Sequence, residues 1–70
     1  MVGQTVVVTG KTGLGRQLVA QFGAVWLIVS MQRTVAHDTR SGYWARIEAG
    51  NHQEWCLLSQ DQHLAVLEVK

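Results

Sequence analysis

An all-β fold, a small five-stranded barrel, is what this sequence predicts, and three observations predict it. The chain is β-branched without a break from Thr5 to Thr9, which favours a strand. Tyr43 to Ala49 alternates, with Tyr43, Ala45, Ile47 and Ala49 on one face and Trp44, Arg46 and Glu48 on the other. Leu18 to Val29 can double back at Gly23-Ala24, with glycine first as a type II′ turn requires.

Taken in order, Gln4 to Thr9 is the first strand, with Val6 and Val8 on one face and Val7 on the other. Gly10-Lys11-Thr12-Gly13-Leu14-Gly15 follows as a glycine-rich loop that lets the strand bend away. The hairpin then pairs Phe22 with Val25, Ala20 with Leu27 and Leu18 with Val29, all apolar and on one face. Its other face pairs Gln21 with Trp26, Val19 with Ile28 and Gln17 with Ser30. A slip of one residue would ruin both sets, so the register is specified. Leu14, Leu18 and Phe22 are also four apart, as on a helix, but one turn at Gly23 accounts for both sides of the hairpin at once. A regular helix over Leu14 to Phe22 would undo this register and with it the barrel.

Thr34 to Gly42 is polar and reads as the longest loop. After the Tyr43 to Ala49 strand, Gly50-Asn51-His52-Gln53 is a turn. Glu54 to Ser59 returns as a strand, bringing Cys56 and Leu58 over Ile47 and Ala45, with Trp55 and Leu57 beside Arg46, Trp44 and Glu48. Gln60 to His63 is a short connector, a single 3₁₀ turn. Leu64 to Val69 closes the sheet. Closing a sheet removes exposed strand edges.

The whole chain, 1–70, reads as one domain. Such a length buries only about 60% of the surface it exposes when unfolded. One Cys allows no internal disulfide, and one Cys with three scattered His makes no metal set. Stability must come from apolar packing, aided by a subunit interface. Hydrophobic residues make up 47% and charged residues only 16%, against a usual quarter. Net charge is +1, with none of the Lys/Arg clustering usual in nucleic-acid binders. Without a basic leader, a long apolar run or any Pro, the expectation is a cytoplasmic protein with no membrane partner, no linker and no cofactor.

Val6-Val7-Val8-Thr9-Gly10-Lys11-Thr12-Gly13-Leu14-Gly15-Arg16 superficially resembles the opening of short-chain dehydrogenases, which implies a dinucleotide at a helix N-terminus. The spacing departs from that family: two residues separate Thr9-Gly10 from Gly13-x-Gly15 where three are usual, and position 16 is Arg. The chain is also too short for the repeated strand–helix units such a fold needs. A phosphate-loop NTPase would need glycine at position 5, which is Thr. Over nearly the whole chain, the pattern is similar to SH3-like small barrels. It rests on Val2-Gly3-Gln4-Thr5-Val6-Val7-Val8, Gly13 to Gly15, Trp55-Cys56-Leu57-Leu58 and Leu64 to Val69. That resemblance implies a binding or assembly module. Some plasmid-borne dihydrofolate reductases share the barrel and assemble an active pore, but their Val-Gln-Ile-Tyr signature is absent here.

No catalytic constellation emerges, and no catalytic residue is assigned. Cys56 could pair with His52 or His63, but it falls on the inward face, where a lone Cys is usually inert. The candidate partner-binding residues are Trp26, Trp44, Arg46 and Trp55, because Trp and Arg dominate interface energies. Trp44, Trp55 and Arg46 would be cross-strand neighbours, with Arg46 stacked on an indole. Large side chains tucked under a loop are the alternative for one or two of the tryptophans. Val19, Trp26 and Ile28 on the outer face of the hairpin are the expected oligomer interface, since a strand pair apolar on both sides must be covered. A second copy of the chain is the expected partner. For the alternative nucleic-acid reading the candidates are Lys11, Arg16, Arg33, Arg40 and Arg46.

Overall fold

A computed structural model describes residues 2–33 and 42–70. Its elements are β1 (Thr5–Gly10), α1 (Gly13–Phe22), β2 (Val25–Gln32), β3 (Trp44–Ala49), β4 (His52–Leu57) and β5 (Leu64–Val69). The five strands form one curled antiparallel sheet in the order β4-β3-β2-β1-β5. The predominantly β, five-stranded class is therefore the predicted one, although the strands expected individually come to six, and the first arm of the hairpin is the one that is not a strand. The predicted loop between β2 and β3 and its Arg40 lie outside the described residues, except for Gly42.

The Leu18–Val29 hairpin does not form. Its first arm is the helix α1, and the turn at Gly23 is the end of that helix. Thr12 caps the start: its Oγ1 accepts from the Gly15 N–H, satisfying one of the donors a helix leaves free. Gly23 ends it at φ +94, and its N–H donates to the Val19 carbonyl, as a glycine C-cap does. Between the caps, the four-residue spacing puts Leu18 and Phe22 on one side of the helix. Leu18, Val19 and Phe22 pack on the core, while Leu14 stays exposed. A glycine serves a II′ turn and a helix C-cap equally well, so Gly23 alone could not separate the two.

The helix does not cost the protein its barrel-like sheet. It spans the connection between β1 and β2, which pair directly and antiparallel, Thr5 with Leu27, Val6 with Trp26 and Val7 with Val25. Losing the hairpin inverts the faces of β2. Trp26 and Ile28, expected outside, are fully buried, and Val25 and Leu27, expected inside, are exposed. The core is Val6, Val8, Trp26, Ile28, Ala45, Ile47, Ala49, Cys56 and Leu64.

The second half follows the pattern more closely. Ala45 lies opposite Cys56 and Arg46 opposite Trp55. β4 begins earlier than expected, at His52, across a two-residue turn in which Gly50 takes φ +60. It also ends earlier, at Leu57. β5 has the predicted bounds. It pairs with β1, and a bulge leaves Leu67 as the extra residue between Val66 and Glu68.

Candidate functional site

Two regions concentrate side chains that could act on another molecule. The first is the corner where β1 ends, α1 begins and the β4–β5 connector passes. Lys11 donates from its backbone N–H to the His63 carbonyl and from Nζ to the Asp61 carbonyl at 2.8 Å. Thr12 Oγ1 lies 2.8 Å from His63 Nδ1. Asp61 is buried, and its carboxylate accepts from three backbone N–H groups: Leu57 on Oδ1, His63 and Leu64 on Oδ2, each at 3.0 Å. One side chain thereby ties the end of β4 to the start of β5. The connector is a turn closed by the Gln60 N–H on the Leu57 carbonyl. Sequence reading passed over Asp61; the signal available was a lone Asp in a short polar connector, where its side chain can hold neighbouring N–H groups.

The glycines of this corner have a packing purpose. A Cβ on Gly10 would lie 2.3 Å from the Arg16 backbone nitrogen, and one on Gly15 would lie 1.8 Å from the His63 carbonyl oxygen. Gly10 and Gly15 let three backbones touch. The dinucleotide reading also fails on topology. A βαβ unit needs parallel strands, whereas β1 and β2 flanking α1 are antiparallel neighbours.

The second region is the outer face of the sheet. Val25 is 58% exposed, Leu27 40% and Leu67 66%. Val7 pairs with Val25 on one side and Glu68 on the other, and Leu67 adjoins Glu68. Beyond Leu27 the face turns polar: Glu48 sits opposite Leu27, Gln53 donates to Glu48 and accepts from Arg46. The Arg46 guanidinium lies 5.6 Å from the centroid of the Trp55 ring, which is 38% exposed. The expected Arg46–Trp55 stack is thus present. Trp44 is opposite Leu57, and both are buried, so Trp44 is not on an open surface. The chain at Gly42 runs against Leu57, whose Cδ1 is 3.2 Å from where a Cβ would stand. Trp44 is therefore buried and not displayed.

The other predicted site residues separate. Trp26 and Ile28 are fully buried in the core, and Val19, on α1, is half-buried against it, so the three do not make up an outer face of β2. Trp26 donates from Nε1 to the Gly23 carbonyl and meets Phe22 edge-on. Lys11 and Arg16 lie at the corner, Arg33 sits 5.8 Å from the exposed Tyr43 ring and Arg46 lies on Trp55, so these cations occupy different places. Burial, then the charge of Asp61, push the Cys56 thiol up to about 12. A thiol held protonated is a poor nucleophile. His52 stacks on Phe22 and meets Glu54, and His63 is bonded to Thr12, so neither is arranged as its base. Among the described residues no group of three His, Cys, Asp or Glu could hold a metal ion, and no helix is long and apolar enough to cross a membrane. Compared with protein families, curated proteins and solved structures, the chain matches none.

Proposed function

We propose that the protein is a non-enzymatic binding or assembly module of the SH3-like barrel type, self-associating through the outer face of its sheet. The sheet order supports the barrel type: β1 lies between β2 and β5, so the last strand returns to the first, and a tight connector joins β4 to β5. The observation that carries the function is the apolar strip of Val25, Leu27 and Leu67 around Val7. Each such side chain gains about 1.5–3 kcal/mol on full burial. Four side chains fall well short of the roughly 800 Å² per partner of a standard interface. Association is therefore weak, and Arg46 and Trp55 extend the contact beyond the apolar strip. Sedimentation velocity from micromolar to near-millimolar protein tests this. A concentration-dependent rise in sedimentation coefficient, abolished by Leu27→Glu, is expected. A monomer over the whole range would overturn it.

A nucleic-acid reading keeps one specific support: Arg33 on Tyr43 and Arg46 on Trp55 are exposed cation–aromatic pairs, which suit base stacking. A salt titration with a generic single-stranded oligonucleotide separates the two, because phosphate contacts give a steep salt slope.

A further inference from the structure

The sheet curls so that its edge strands, β4 and β5, come together at Asp61, yet the described residues of the two strands form no ladder. The Asp61 carboxylate replaces it at one point by accepting both the Leu57 and the Leu64 N–H. Further along β5, no described strand pairs with that edge. The Val8 N–H donates to Ala24 on the β2 side. Its partner on β5, Val66, therefore turns its N–H and C=O away from β1, as the alternation of an antiparallel ladder requires. Beside this edge is a cavity of about 220 Å³, lined by Leu58, Leu64 and Val66 on the apolar side and by Lys11 and Asp61 on the polar side. It is smaller than the roughly 300–1,000 Å³ of small-molecule sites, so it has room for one or two side chains and not for a cofactor. Lys11 spends one of its three ammonium donors on the Asp61 carbonyl. The Asp61 carboxylate is directed at backbone N–H groups instead, and the two side chains form no ion pair with each other.

We propose that this seam receives an extended peptide segment carrying a carboxylate, added as a strand to the free edge of β5. The peptide backbone pairs with Val66, as in other strand-addition complexes. One apolar side chain fills the space between Leu58 and Leu64, and the carboxylate meets Lys11 through a charge-assisted hydrogen bond. This site is separate from the outer face and does not rest on self-association.

Amide chemical shifts of the full chain, titrated with three probes, test it. The probes are acetyl-Ala-Val-Val with a free C-terminal carboxylate, the same tripeptide as its C-terminal amide, and the acid with its backbone nitrogens methylated. The acid should give saturable shifts at Leu58, Ala65 and Val66. The amide should bind about tenfold more weakly, a difference of about 1.4 kcal/mol, and the methylated acid not at all. Lys11→Gln should bring the acid down to the level of the amide. The proposal is overturned by absence of saturable shifts at millimolar acid, by equal binding of all three probes, or by shifts centred on Val25, Leu27 and Trp55. The three probes decide the matter on the unaltered protein, whatever Lys11→Gln does to folding.

Discussion

The corner at Gly10–Gly15 and the outer face at Val25, Leu27 and Trp55 make opposite use of their residues. The corner carries the most motif-like stretch of the chain and uses it for closure: two glycines press backbone against backbone, and one carboxylate gathers three N–H groups. The outer face carries no motif and leaves large side chains in solvent. A glycine-rich string and a binding surface are therefore different things here. Substitutions should hurt folding at the first region and contacts at the second.

The sharpest contrast lies within the glycine string itself. Gly15→Ala should cost about 4 kcal/mol or more, the range of severe core disruption, because the new Cβ meets a backbone oxygen that cannot rotate aside. Gly13→Ala, two residues earlier, meets nothing within 4 Å and should be neutral or stabilising by up to about 1 kcal/mol through helix propensity. Urea unfolding of both variants checks the pair. Equal effects would mean that the corner is not closed by backbone contact.

Asp61→Ala should rank next. Three N–H groups lose a charged acceptor, and bonds of that kind contribute about 1.5–3 kcal/mol each in favourable cases. The losses share one side chain and do not add, so a total near 3 kcal/mol is expected. Asp61→Asn keeps one oxygen and should recover part of it. Hydrogen exchange at Leu57 and Leu64 reads the same event locally: both amides should lose protection in the Ala variant. Unchanged protection would show that the seam is held by something other than this carboxylate.

These two regions also explain what the sequence could and could not reveal. Alternation in the strands of Tyr43 to Ala49 and Glu54 to Ser59 placed Ala45, Ile47 and Cys56 in the core, because a strand's two-residue period reads onto faces, but at the far end it put Tyr43 inside and Trp44 and Leu57 outside, the reverse of what forms. The stretch from Leu14 to Val29 failed on the same logic. It satisfies a four-residue helical spacing and a two-residue hairpin register together, and its glycine suits either ending. The choice fell to Thr12, whose hydroxyl caps the helix through Gly15, a signal three residues long beside a twelve-residue pattern. Once that choice went to the helix, Trp26 and Ile28 exchanged places with Val25 and Leu27, and the expected interface moved with them. Asp61 was harder to read for another reason: its partners are backbone N–H groups, which every sequence has, so only its place in a short polar connector marked it. Arg46 opposite Trp55 was readable because it needs only the β3–β4 register.

That pair supplies the mildest test of the contrast. Arg46 and Trp55 stack in solvent, and such an exposed contact contributes about 0.5–1 kcal/mol. Arg46→Ala also removes the bond to Gln53, which is itself exposed and adds little. Either single variant should therefore lower stability by at most about 1 kcal/mol, and a double-mutant cycle should give a coupling of that size or smaller. The same variants should weaken self-association measurably, because a partner would cover an indole and a guanidinium already held together. A large loss of stability with unchanged association would reverse the assignment: Trp55 would then belong with Trp44 among residues that hold the fold, and the working surface would shrink to Val25, Leu27 and Leu67.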